Sequence, residues 1–204
     1  MIWRLIKLNV GLVLFGAGTW LGLQAHLGVG PWDVLAGGLS QQLGMTFGRT
    51  SVGISVVVLI IAVVVGVRPG IGTALNVVVI GLVVDLLLAT DALSGLHAEP
   101  IGLRLCGTAG GIASVAAGSA LYLGAHLGPG PRDGLMVAVA QRTGLSLGLS
   151  RALLELTVLA GGVALGGPVG LGTVAFALGI GPAVQLAFTV LRQTPVRRIV
   201  EAPA

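Results

Sequence analysis

The sequence predicts an all-α, polytopic transmembrane bundle, and three observations carry that prediction. Of 204 residues only 9% are charged and 55% are hydrophobic, with a mean hydropathy of +1.03; a soluble surface uses about a quarter charged residues. The stretches 52–67 and 71–84 contain no charge, and about 20 apolar residues cross the hydrocarbon core as a helix. Neither stretch alternates with period two, which argues against an outer-membrane barrel. The third observation is an internal repeat. His26-Leu-Gly-Val-Gly-Pro-Trp-Asp-Val-Leu35 matches His126-Leu-Gly-Pro-Gly-Pro-Arg-Asp-Gly-Leu135, and the 100-residue offset holds without a gap. Residues 11–88 against 111–188 share about 27 identities in 78 positions, so the chain is a duplication.

The repeat fixes the elements. The first unit, 1–90, reads as a long helix at 4–27, a break at Gly28-Val-Gly-Pro31, a short helix at 32–44, and long helices at 48–67 and 71–90. A polar linker, 91–104, carries Asp91, His97, Glu99 and Pro100. The second unit, 105–191, repeats the pattern at 105–127, 132–144, 148–166 and 170–191, and 192–204 forms a cytoplasmic tail. The N-terminus resembles a signal peptide, but the same segment recurs in mid-chain and no small-residue cleavage site closes it, so it reads as the first spanning helix.

The short helices set the topology. Some 13 residues are too few to span comfortably, and they read as broken or re-entrant helices. Each unit then crosses three times, and an odd number of crossings inverts the second unit. If the short helices do span, the crossings number eight and the units are parallel. Arg4, Lys7, Arg192, Arg197 and Arg198 put both termini in the cytoplasm in either case. Matched positions favour inversion. Trp32, Gln42 and Ser51 become Arg132, Arg142 and Arg151, while Arg68 becomes Pro168; inversion turns these arginines to the cytoplasm. Arg49 against Leu149 runs the other way.

The 35 glycines fall largely inside apolar segments, at small-xxx-small spacing such as Gly18-x-x-x-Gly22 and Gly107-x-x-x-Gly111, which lets helices approach closely. The basic residues are scattered or sit at segment ends, without the basic stripe of a nucleic-acid surface. The single Cys106 excludes an internal disulfide and a thiolate cluster.

The polar residues that break this pattern are the candidate ligands. Gly30 and Pro31, with Gly130 and Pro131, start helices whose N-terminal amides face the turn; transporters place such breaks beside substrate. Asp33 and Asp133 lie in the first turn, as capping carboxylates or as ligands of a cation or proton. His26 and His126 end the long helices, as C-terminal histidines or as members of a His/Asp proton relay. Asp85, matched by Gln185, either faces the interior or stands near the outer interface. Trp32 reads as an interfacial anchor or a stacking surface, opposite Arg132 in the second copy. Arg151 and Glu155, four apart, pair along one face, and Asn76 reads as packing glue.

The element Gly-x-Gly-Pro-[Trp/Arg]-Asp after a long apolar helix, closed by a Gly-x-Gly-Thr helix start, resembles the YczE/YitT-like bacterial integral membrane family. Gly-Pro-Trp-Asp at 30–33 is its most specific part and Gly-Pro-Arg-Asp at 130–133 its second copy; the resemblance covers nearly the whole chain. It implies a location in the bacterial inner membrane. Through related proteins grouped with small-molecule exporters, it points to transport. The end at Ala204, without the soluble C-terminal domain of YitT-type members, favours the YczE side.

The expected function is therefore secondary transport, as an exporter or otherwise, of an unidentified small molecule at the paired broken-helix turns. The rival is a non-transporting scaffold or regulator of another complex, which needs no polar interior. No serine elbow, Walker A sequence or metal-ligand spacing is present, so no enzymatic activity, cofactor or metal is expected. The expected partners are the lipid bilayer and the substrate, without nucleic acid; a homodimer is compatible with this reading.

Overall fold

The computed structural model describes residues 1–191; the tail expected at 192–204 lies outside the described residues. Among the described residues the chain forms eight α-helices: α1 (Ile2–Ala25), α2 (Pro31–Leu43), α3 (Phe47–Val64), α4 (Ile71–Leu88), α5 (Ile101–Leu123), α6 (Pro131–Thr143), α7 (Leu147–Ala164) and α8 (Leu171–Val190), with a 3-10 turn at Ser94–Ala98 in the linker. Five of them, α1, α3, α4, α5 and α8, are long and apolar enough to cross a membrane. Helix α7 is as long as α3, 18 residues, and carries Arg151 and Glu155 within its apolar sequence. At 13 residues each, α2 and α6 reach about 20 Å at 1.5 Å per residue, short of a hydrocarbon core of about 30 Å.

Local chemistry sets the boundaries. Helix α1 ends where His26 turns left-handed, φ 49°, and its amide donates to the Leu23 carbonyl; His126 does the same after α5, φ 54°. Gly28 follows at φ 95° and Gly128 at φ 115°, a region costly for any residue with a β-carbon. Gly30 and Gly130 are then extended N-caps, and Pro31 and Pro131 take the first helical position, where a missing N–H costs nothing. Thr46 and Ser146 cap α3 and α7, accepting from the amides of Arg49 and Leu149.

Helices α1 and α5 form the central seam. A β-carbon on Gly11 would lie 2.8 Å from the Gly118 carbonyl oxygen, and one on Gly18 would lie 2.6 Å from that of Gly111. The register rises along α1 as it falls along α5, so the two helices run antiparallel. Gly11 matches Gly111 and Gly18 matches Gly118, so the two contacts are reciprocal copies. Between them the Ser114 hydroxyl donates to the carbonyl of Leu14, its own matched position. Cations close the ends in the same fashion. Lys7 donates to the Gly124 carbonyl past the end of α5, and Arg104 donates to the Ala25 and His26 carbonyls at the end of α1, where the helix dipole favours positive charge.

Each broken turn seats on the other unit's last long helix. The Leu27 carbonyl accepts from the Gly172 amide at 2.6 Å, and the Leu127 carbonyl from the Gly72 amide at 2.7 Å. The Thr73 hydroxyl also donates to the Pro129 carbonyl. Glycines allow this approach: a β-carbon on Gly170 would fall 2.4 Å from the Leu27 oxygen, and one on Gly70 2.3 Å from the Leu127 oxygen. The short helices pack less evenly. Helix α2 lies close on α7, where Gly37 meets Pro168 and Gly38 meets Gly162. The matched residues in α6 and α3 are Val137, Ala138 and Ala62, and their side chains hold those helices further apart.

We expect Gly18→Ala and Gly118→Ala each to lower the unfolding free energy by about 1–3 kcal/mol, the usual cost of overpacking, in detergent-titrated unfolding. Gly53, with no atom within 4 Å of an added β-carbon, should accept alanine with no loss, or a gain of up to about 1 kcal/mol.

Candidate functional site

A cavity of about 160 Å³ lies where the two units meet, and side chains from all eight helices line it. Its walls are built of matched positions: Phe15 and Val115, Trp32 and Arg132, Ser51 and Arg151, Ser55 and Glu155, Asn76 and Phe176, Ile80 and Ile180. Ser119, Tyr122, Gly130 and Asp133 complete the polar and small part of the lining, beside the apolar Met136. A second, narrow cavity of about 20 Å³ adjoins the first turn of α2, lined by Thr19, Asp33 and Thr108 among others. The buried Thr19 hydroxyl has no hydrogen-bond partner among the described residues, and the space is about that of one water.

Trp32 and Arg132 occupy the same position in their units and meet each other. The Arg132 guanidinium carbon sits 4.9 Å from the centroid of the Trp32 ring, within cation–π range. On its other side Arg132 stands 4.0 Å from the buried carboxylate of Asp33. Arg151 bonds Glu155 one turn along α7 at 2.8 Å. Asp133, at the matched position to Asp33, accepts a short hydrogen bond from the Tyr122 hydroxyl. Both aspartates sit in first turns whose dipoles favour a negative charge.

The expected ligands divide into three groups. Trp32, Asp33, Arg132 and Asp133 gather at or beside the cavity, with Gly130 in its wall and Gly30, Pro31 and Pro131 forming the turns behind. A β-carbon on Gly30 would meet the Phe176 ring at 2.7 Å, and one on Gly130 the Asn76 amide at 3.1 Å, so glycine lets these cavity residues lie against the turns. Asp85 does other work. Its carboxylate accepts from the Thr46 hydroxyl at 2.5 Å and the Gly48 amide at 2.7 Å, tying α4 to the N-terminus of α3. His26 and His126 are exposed and stand away from this cavity. His26 lines a separate, more open pocket of about 320 Å³ beside Gln24, Gly28 and Phe47, and its ring lies 4.9 Å from that of His97 in the linker. Arg132 and Arg151, grouped above with cytoplasm-facing arginines, line the cavity. Among the described residues no three His, Cys, Asp or Glu side chains converge as metal ligands.

Tyr122 was not singled out from the sequence, and the polar role of Arg151, Glu155 and Asn76 at a cavity was not either. Their signal lay in the mismatches of the repeat. Gly22, Ser51, Ser55 and Phe176 are the partners of Tyr122, Arg151, Glu155 and Asn76, and these four divergences make the cavity wall chemically unequal between the two units.

The architecture defines an integral membrane protein of several apolar helices. Residues 2–189 match a family described as a family of unknown function, DUF6198, and the chain belongs to that family. It is similar to an uncharacterized protein of Haemophilus influenzae, 37% identical over 201 residues, 95% of this chain and 89% of the relative. It is likewise similar to the uncharacterized membrane protein YczE of Bacillus subtilis, 33% identical over 171 residues, 82% of this chain and 77% of that one. The uncharacterized protein YyaS of the same bacterium is 28% identical over 174 residues, 81% and 82% of the two chains. These relatives bear out the YczE-like resemblance. No solved structure matches.

Two measurements probe the site. Arg132→Gln leaves Asp33 without its counter-charge and should lower the unfolding free energy by roughly 1–3 kcal/mol. Asp33→Asn in the same chain should restore most of that loss; additive losses would dismiss the pair. His26, just past the end of α1, titrates below the ordinary histidine value of 6.5 through partial burial, then through His97 and Arg104. Its folded state favours the neutral ring, so on acidification through that ordinary value the unfolded chain is protonated first and this closure of the linker on α1 weakens. Imidazole NMR should show the low value rising in His97→Gln.

Proposed function

We propose that the chain is a non-enzymatic secondary transporter of a small organic molecule in the bacterial inner membrane, built of two inverted units that move against each other around the shared cavity. Each unit contributes three spanning helices and one short helix that begins at a broken turn. The observation that carries this reading is the cavity itself: one hollow straddling the meeting of two copies, walled by matched positions and lined by half-buried charges. An intramembrane charge is expensive and is kept where it serves a pathway or binds a ligand. The antiparallel α1 and α5 and the reciprocal seating of the two turns support inversion, since matched helices of parallel units would run the same way. The scaffold reading calls for a dry, filled interior and has no use for Arg132, Asp133 and Tyr122 around a space.

Orientation follows from Arg4 and the exposed Arg142, with the arginines of the C-terminal tail, which favour cytoplasmic termini. The bacterial sources of the relatives agree with the location. The rocking interface would be the α1/α5 seam, where glycine lets backbones slide with little side-chain interlock.

Cysteines at Thr46→Cys and Ser146→Cys, in a Cys106→Ser background, should react with a membrane-impermeant maleimide from opposite sides. Labelling from a single side would remove the inversion. Proteoliposomes should accumulate at least one of a panel of small organic solutes, and Asp133→Asn should cut that flux tenfold or more. The transport reading fails if no solute moves with or without a proton gradient.

A further inference from the structure

We infer that the cavity binds a small organic cation, a protonated amine on an aromatic or comparably compact apolar body, with Asp133 as its counter-charge. This deepens the transport reading and rests on it only for the movement of the ligand, not for its binding.

The argument is one of charge accounting in a confined space. Five charged side chains surround or adjoin the cavity: the cations Arg132 and Arg151 and the carboxylates Asp33, Asp133 and Glu155. Among the described residues the ion pairs are Arg132 with Asp33 and Arg151 with Glu155. That leaves Asp133. Its bond is to the Tyr122 hydroxyl, a neutral donor that satisfies an oxygen but does not cancel a charge. The dipole of α6 offsets part of it, as that of α2 does for Asp33, so the helix does not account for the difference between the two aspartates. A half-buried carboxylate outside an ion pair, beside a largely apolar space, attracts a cation more strongly than the same group in water.

The rest of the lining selects the kind of cation. Phe15, Tyr122 and Phe176 line the space, and Trp32 is already covered on one face by Arg132. Aromatic side chains beside a carboxylate outside an ion pair favour an ammonium carried on an apolar body over a hydrated metal ion. The volume limits the body: about 160 Å³ compares with the roughly 150 Å³ cavity known to take benzene. An organic anion would add a second uncancelled negative charge, and Arg132 could serve it only by leaving Asp33 unpaired.

Three near-isosteric probes separate the possibilities: benzylammonium, benzyl alcohol and benzoate, titrated by calorimetry against the full chain in lipid nanodiscs. Benzylammonium should bind at least tenfold more tightly than benzyl alcohol, with benzoate weakest. Asp133→Asn should abolish the preference for the cation. Tyr122→Phe, which frees the carboxylate and keeps the ring, should hold or tighten it severalfold, so a loss caused by misfolding is told apart. Benzoate binding most tightly, or Asp133→Asn leaving benzylammonium affinity unchanged, overturns the inference. Tight binding of benzoate or benzyl alcohol alone would overturn the cation while leaving a ligand cavity for transport. Asp133-dependent binding of benzylammonium that is never moved across liposomes would uphold the site and reject transport.

Discussion

Backbone hydrogen bonds exchanged between the two units hold the centre of this protein together. A chain that stops a helix and turns within a packed interior leaves amides and carbonyls that need new partners, at several kcal/mol for each unmet group. Both units break a helix after His26 or His126, and each break is satisfied by the other unit: Leu27 receives the Gly172 amide, and Leu127 receives the Gly72 amide. The glycines at 28, 70, 72, 128, 170 and 172 exist in this arrangement because a β-carbon at any of them would collide with the partner segment. Neither turn is therefore self-sufficient, and the second, through Gly130, also forms part of the cavity wall.

That constraint explains how charge comes to be tolerated. The two short helices begin near one another and point their first turns, with their dipoles, at a common region. Asp33 is answered by Arg132, Arg132 is also covered by the Trp32 ring, and Arg151 is answered by Glu155. The apolar helices outside, α3, α4 and α8 among them, turn leucines and valines such as Val57, Leu82 and Leu178 outward, which is the surface lipid requires. Polar chemistry is thus confined to the middle of a molecule whose rim is hydrocarbon.

Much of the helical frame could be read in the sequence. Apolar length, the glycine-proline breaks and the 100-residue repeat give the helices near their observed ends, because each of those signals is local. The site was legible only in part. Trp32, Asp33, Arg132 and Asp133 stood out since they interrupt apolar sequence at a break. Which of the two aspartates has a counter-charge could not be read, because Arg132 reaches across to the other unit. Asp85 looked like an interior charge or an interface residue, but its partners, Thr46 and the Gly48 amide, lie in another helix. His26 and Asp33 are seven apart along the chain, yet the left-handed turn between them directs His26 to the linker and Asp33 inward. Tyr122 was hidden among leucines and alanines, and comparison with Gly22 was the clue.

The meeting of Trp32 with Arg132 bears on why the two halves share one polypeptide. At the dyad of a homodimer a side chain confronts its own replica. Two copies of the first half would stack indole on indole there, and two copies of the second would press guanidinium against guanidinium. Covalent fusion lifts that restriction, since each half can then mutate alone. An indole can receive a guanidinium, and one aspartate can be neutralised while its sibling keeps its charge. The chain thereby gains a polarised interior from a scaffold whose symmetry would otherwise forbid one.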